Sequence, residues 1–184
     1  MKQQPPAMPA TDPAIRVRDA TEADLPAIVD IYNQSIPDAW STADTKPVTV
    51  TDRIDWFRKH DPARRPLWVA EVDGHLAAWI GLTSFYAGRP AYDATAEVSL
   101  YIATAFQRRG LSMFLNRRMI EHCPRLGVTT LVSMHFDHNE ATRRINEQLD
   151  FQPAGHLPEI AIVNGQPHGL LISQLRIPPA PTPK

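Results

Sequence analysis

The chain has 184 residues, 43% of them hydrophobic, and sets 19 Lys and Arg against 20 Asp and Glu for a formal net charge of -1. That length fits one domain with a sizeable core, and the balanced charge supplies no global positive field to hold nucleic acid or an anionic membrane. Cys123 is the only cysteine, which rules out a disulfide within the chain; with no signal peptide and no apolar run near the roughly 20 residues that span a bilayer, the expectation is a soluble cytoplasmic protein.

Prolines crowd both ends, so 1–13 and 178–184 read as disordered tails around a single domain over 14–177. Ile15 to Arg18 alternates apolar and polar residues as a short strand does. Thr21-Glu22-Ala23-Asp24 then resembles a helix start, with Asp24 in the place of the usual Glu of a capping box, and predicts a helix from about Glu22 to Ser35. The stretch from Ile36 to Val50 has no clean period and reads as a loop that can cover a site. A second helix is expected over Asp52 to Lys59, capped by Thr51.

Leu67 to Val72 and His75 to Phe85 are apolar runs separated by Asp73-Gly74, a dipeptide that favours a type I′ hairpin turn. Ala94 to Ile102 reads as a strand, Gly110 to about Cys123 as an amphipathic helix stopped by Pro124, Thr129 to Phe136 as a strand and Glu140 to Leu149 as a helix. Two last strands, Gln152 to Val163 and His168 to Leu175, flank Asn164-Gly165. The order β-α-α-β-β-β-α-β-α-β-β implies an α/β fold with a mixed sheet and helices on its faces.

Between the strand ending at Ile102 and the helix near Gly110 lies Phe106-Gln107-Arg108-Arg109-Gly110-Leu111-Ser112. A helix amino terminus offers unpaired NH groups and a positive dipole end, and glycine lets backbone approach a phosphate, so the junction suits an anion such as a pyrophosphate. The segment resembles the acetyl-coenzyme A signature of the GNAT N-acetyltransferase superfamily, here Gln107-x-x-Gly110-x-Ser112, with serine where the family has Gly or Ala. Asn139-Glu140-Ala141-Thr142 followed by Leu149-Asp150-Phe151 is similar to the family's second cofactor segment, Asp150 replacing a glycine. Three further blocks resemble the phosphinothricin acetyltransferase branch: Ala14 to Ile28, Val69 to Gly74, and Ala91-Tyr92-Asp93-Ala94-Thr95-Ala96-Glu97.

The resemblance implies a mostly antiparallel sheet splayed between strands 4 and 5, with helices on both faces. It further implies that Leu100, Tyr101 and Ile102 pair with the pantetheine arm of acetyl-coenzyme A, that Gln107, Arg108, Arg109, Gly110, Leu111, Ser112 and Met113 hold its pyrophosphate, and that Asn139 contacts the pantetheine. Glu97 matches the branch's general base, and alternation puts it on one face with Ser99 and Tyr101. Arg89 and Tyr92 match positions beside the acceptor, where arginine suits a carboxylate or phosphinate. Asn146 falls where the branch has a histidine lying near the acceptor and other members have tyrosine, so the resemblance places it with Arg89 and Tyr92 among the substrate-binding residues. As an ordinary residue it reads as a solvated helix asparagine, and it cannot act as a general acid. Trp40, Phe85 and Tyr86 are further candidates for the same cleft.

His135, Asp137 and His138 stand together at a strand end but lack distant partners in the sequence, so no metal is assigned. Arg117-Arg118 and Arg143-Arg144 read as solvated helix faces, leaving no nucleic-acid partner. The expected protein is a homodimeric enzyme that acetylates a small-molecule amine, an amino acid or analogue; a protein N-acetyltransferase and a non-catalytic acyl-coenzyme A binding protein are the alternatives.

Overall fold

The computed structural model describes residues 15–37 and 41–178. The Pro-rich tails, save Pro178, and Trp40 lie outside these residues. Seven strands form one sheet: β1 (Ile15–Asp19), β2 (Leu67–Val72), β3 (His75–Ser84), β4 (Thr95–Ile102), β5 (Thr130–Phe136), β6 (Gln152–Val163) and β7 (Gln166–Arg176). Their order is β1-β2-β3-β4-β5-β7-β6, and every adjacent pair is antiparallel except β4 with β5. The helices are α1 (Leu25–Asn33), α2 (Val50–Arg58), α3 (Leu111–His122) and α4 (Glu140–Gln148), in the sequence of elements that the hydrophobic periodicity gives. Both hairpins turn where expected. Asp73 and Gly74 have φ 50° and 78°, Asn164 and Gly165 have 50° and 76°, the paired positive values a type I′ turn requires.

The alternation of β3 separates two cores. Ala78, Ile80 and Leu82 point to one face and pack with Leu115 and Met119 of α3, Leu131 of β5, and Leu149 and Phe151 after α4. Trp79 points to the other and meets Ile28, Ile31 and Tyr32 of α1, with Trp56 and Phe57 of α2 against them. Helices therefore cover both faces, and each strand side is apolar because each is buried. Cys123 lies fully buried in the first core, and burial pushes its thiol up to about 12, so it packs and stays protonated.

Element ends differ from the sequence reading for local reasons. The first helix is split, a 3-10 turn over Glu22–Asp24 preceding α1, because Pro26 lacks the NH that a continuous helix would use there. α2 starts two residues early, capped by Thr49 and not Thr51: Thr49 Oγ1 accepts from Asp52 N at 3.3 Å while the Asp52 carboxylate accepts from Thr49 N at 2.8 Å, a reciprocal box that Thr51 has no partner to form. Gly110 caps α3 from outside it. Pro124 does not end the helical path at once; a 3-10 turn runs over Cys123–Leu126 and stops at Gly127, φ 70°.

Arg18 ties β1 to the start of α1. Its guanidinium donates to both Asp24 oxygens at 2.7 and 2.8 Å and to Glu71 of β2 at 2.8 Å, a bidentate pairing. The arginine holds the Asp24 carboxyl at about 2. A depressed carboxyl pKa adds stability that is complete above the unfolded value near 4 and disappears as pH falls toward 2. Asp24→Asn is therefore expected to cost about 1–2 kcal/mol at pH 7, after allowance for solvent screening, and much less at pH 2, where half of the native carboxyls are protonated, as read by urea unfolding at the two pH values.

Candidate active site

β4 and β5 pair only at Thr95–Glu97 with Thr130–Val132. Beyond that point β4 stays with β3 and β5 with β7, so the two central strands diverge. One edge of β4 from Val98 to Ile102 is left without a strand partner. Peptide groups on such an edge require donors and acceptors from elsewhere, which an extended, amide-bearing molecule supplies in the manner of an added strand. The gap is a cleft of about 610 Å³ walled by Val98 to Ile102, the turn around Gln107 to Ser112, Ser133 to His135 on β5 and one side of α4.

One end of the cleft is a helix amino terminus entered by a left-handed turn. Arg108 has φ 60° and Gly110 φ 81°, and this left-handed turn drops the chain into α3. Gly110 is the cap and has no side chain to close the first turn, so the NH groups there remain open to a ligand, with the helix dipole behind them. Leu100, Tyr101, Ile102, Gln107, Arg108, Gly110, Leu111 and Ser112 all line the cleft. Arg109 and Met113 do not. The guanidinium of Arg109 sits 5.1 Å from the Phe106 ring centre, and Met113 packs toward the first core.

The opposite wall comes from α4. Asn139 is buried and caps the helix, its Oδ1 accepting from Thr142 N at 3.0 Å. Asn146, read from the sequence as solvated, is instead 7% exposed and donates from Nδ2 to Ser133 Oγ at 3.1 Å inside the cleft. The helix turns its charged Glu140, Arg143 and Glu147 outward, where they pair with each other, so position 146 falls on the inner side. Asp150, in place of a glycine, adopts φ 62°, a conformation Asp tolerates better than most residues, and Phe151 N returns to Asn146 O at 2.9 Å. The turn that ends α4 is preserved.

Glu97 stands at the last paired position of β4, where the strands part. It is half-buried with no ion pair to another described residue, and burial raises its carboxyl above the ordinary range, as desolvation does. It is not among the residues lining the cleft. Ser99 and Tyr101, on the same strand face, line both the cleft and a smaller cavity of about 140 Å³ walled by Tyr32, Arg53, Trp56, Trp79 and Thr83. Gly81 keeps this cavity open: a side chain there would meet Leu67 Cδ1 at 2.9 Å and His60 Nε2 at 3.3 Å.

The loop between α1 and α2 closes over this region and is tied down. Tyr101 Oη donates to Ser41 O at 2.8 Å, Tyr32 Oη donates to Asp44 at 2.6 Å, and Asn33 exchanges two bonds with the Val48 backbone. Arg53 pairs with Asp44 at 3.1 Å and lies 4.3 Å from the Tyr32 ring centre. By contrast, Arg89 and Tyr92 sit in an exposed turn with Phe85 and Tyr86, Arg89 resting 5.0 Å from the Tyr86 ring centre, and none of the four lines the cleft. The sequence reading did not single out Gln34, Ser41, Arg53, Trp56 or Ser133. Each is an ordinary residue whose contribution depends on strands and loops distant in sequence.

Residues 25–151 match the family described as "Acetyltransferase (GNAT) family". The chain is 42% identical over 157 residues to the protein named "Putative phosphinothricin acetyltransferase YwnH" of Bacillus subtilis (strain 168), covering 85% of this chain and 95% of that one. It is 28% identical over 166 residues to an L-methionine sulfoximine/L-methionine sulfone acetyltransferase of Pseudomonas paraeruginosa (strain DSM 24068 / PA7), covering 89% and 95%. The crystal structure of a "putative phosphinothricin N-acetyltransferase" superposes with TM-score 0.85 at 40% identity, over 89% of this chain and 99% of that one. With its parallel β4–β5 contact, its splayed cleft and its glycine-capped α3, this chain belongs to the GNAT family of acetyltransferases.

Proposed function

We propose that the protein moves the acetyl group of acetyl-coenzyme A to the primary amine of a small molecule, an amino acid or an analogue such as phosphinothricin or methionine sulfone. The observation that carries this reading is the unpaired edge of β4 running directly into the Gly110 turn. An amide-rich arm lies along the first and a diphosphate on the second, which is the chemistry of coenzyme A. The relatives named for phosphinothricin and methionine sulfoximine support the acceptor class.

In the reaction the amine nitrogen forms a bond to the acetyl carbonyl carbon and the carbon–sulfur bond breaks. An NH of the β4 edge polarises the carbonyl oxygen as charge develops on it. Glu97 takes the amine proton through a water, since the carboxylate lies outside the cleft wall. The thiolate departs beside Ser133 and Asn146, neutral groups that can donate hydrogen bonds to sulfur, and takes its proton from water. The acceptor approaches from the side of Ser99 and Tyr101, where the two cavities meet, and Arg53 supplies a cation near an anionic acceptor. Arg89 remains a candidate for the same role from the turn after β3, with Tyr92 beside it as a hydrogen-bonding partner for the acceptor.

A second copy of the chain completes the proposed assembly in the cytoplasm. Leu157, Ile160 and Ile162 of the edge strand β6 are 42%, 58% and 65% exposed, and the free edge of β6 offers backbone and apolar side chains that a second copy can cover. The test is release of free coenzyme A measured over amino acids, phosphinothricin, methionine sulfone and polyamines, with light scattering on the same preparation. Turnover on an amino acid or analogue and a mass twice the chain's are expected. Binding of acetyl-coenzyme A without thiol release on any amine contradicts the enzymatic reading, and a single-chain mass contradicts the dimer.

A further inference from the structure

Away from the cleft, three strands bring a carboxylate and three imidazoles together. Asp137 leaves the end of β5, His138 follows it, His156 comes from β6 and His168 from β7. Potential ligand atoms of Asp137, His138 and His168 all lie within 4.8 Å of one another. His156 Nε2 is 3.5 Å from Asp137 Oδ2, and His138 Nδ1 is 3.7 Å from Asp137 Oδ1.

The cluster is shaped by backbone as well as by side chains. Asp137 N donates to Gly169 O at 2.9 Å, and Gly169 N returns a bond to Asp137 Oδ2 at 3.1 Å, which fixes the carboxylate over β7. Gly169 has to be bare: a Cβ there would stand 2.6 Å from His156 Nε2 and closer still to Asp137 Oδ2. His138 stacks on Phe136 at 5.5 Å and 13° and meets His168 at 4.4 Å between ring centres, so an aromatic wall backs the polar side. The site is half-open, with side-chain exposures of 38% for Asp137, 29% for His138 and 49% for His156.

Surface ion pairing alone accounts poorly for this arrangement. One carboxylate serves one ion pair, whereas here three imidazoles gather around the same Asp137. Convergent imidazole nitrogens with a carboxylate oxygen form a donor set for a late first-row divalent ion. In a tetrahedral site with ligand bonds of about 2.0–2.2 Å the donor atoms stand roughly 3.3–3.5 Å apart. The observed spacing closes to that by side-chain movements of about 1 Å.

We propose that Asp137, His138 and His168 bind one Zn2+ or a similar divalent cation, with His156 as the fourth ligand or as the partner that orients Asp137. The ion joins the β6–β7 hairpin to the segment that opens α4. His138 directly precedes Asn139, whose side chain caps that helix and lines the cleft, so the ion braces a wall of the active site without touching the reacting groups.

The experiment uses tag-free full-length protein stripped with chelator and titrated with Zn2+ by calorimetry and with Co2+ by visible absorption. One ion per chain, a visible Co2+ band of tetrahedral type and a higher melting temperature with Zn2+ are expected. His168→Ala and Asp137→Asn should each weaken Zn2+ binding by more than the 10–100-fold typical of losing an outer partner, while His75→Ala, at the start of β3, should leave it unchanged. Asp137→Asn keeps the shape of the site and carries the test where His168→Ala fails to fold by circular dichroism. Absence of saturable binding, or binding that survives both substitutions, overturns the proposal.

Discussion

Glu97→Gln is expected to lower turnover at pH 7 by at least about 10²-fold while leaving the affinity for acetyl-coenzyme A within about twofold, the separation that general-base loss produces. The substitution keeps shape and hydrogen-bonding capacity but removes the proton acceptor. A pH profile sharpens the test. Burial raises the Glu97 carboxyl above its usual 4.5, so in the parent kcat/KM should climb through a pH higher than an exposed glutamate would give. That limb should vanish in the variant. Unfolding does not imitate the result: a carboxyl whose pKa is raised in the folded state costs stability once ionised, so at neutral pH the glutamine variant should melt at the same temperature or higher. A variant with parental turnover removes Glu97 from the mechanism.

Gly110→Val should weaken acetyl-coenzyme A binding by about 10–100-fold with a smaller effect on turnover at saturation. Position 110 has φ 81°, which a β-branched residue adopts only at a cost of about 1–3 kcal/mol, and the new methyl groups project into the space a phosphate would take. Either the turn relaxes and the NH groups of α3 no longer converge, or it holds and the anion is pushed outward. Both outcomes appear as a larger Kd, since each tenfold corresponds to about 1.4 kcal/mol. Unchanged affinity by calorimetry in a folded variant would move the diphosphate away from this turn.

Much of the architecture is legible because its signals are local. Asp73-Gly74 and Asn164-Gly165 name their own turn type, the unbroken apolar run of β3 reports a strand buried on both faces, and the Thr21 and Asp24 pair marks the entry to α1. The turn before α3 stands out as a contiguous motif, Gln107-x-x-Gly110-x-Ser112 between a strand and a helix, and its resemblance to the GNAT signature is what suggests a cofactor there. The smaller cavity beside the cleft is not legible in this way. Arg53 and Trp56 reach it from α2, and Ser41 reaches the cleft from a segment held by Tyr32, Asn33 and Tyr101; no periodicity encodes those contacts. Asn146 was misread as solvated because α4 is strongly charged; its inward face becomes evident only once Glu140, Arg143 and Glu147 are seen pairing outside. The His138, His156 and His168 grouping is likewise hidden, as it depends on the β5–β7 and β6–β7 registers bringing three separated segments together.

The account stands most directly on where acetyl-coenzyme A binds, and a crystal structure of the complex decides it. The pantetheine arm should lie along the unpaired edge of β4 with hydrogen bonds to Leu100 and Ile102 backbone, and the pyrophosphate should rest on the NH groups from Gly110 to Met113. A coenzyme bound elsewhere, or a β4–β5 gap that closes to exclude it, contradicts the assignment.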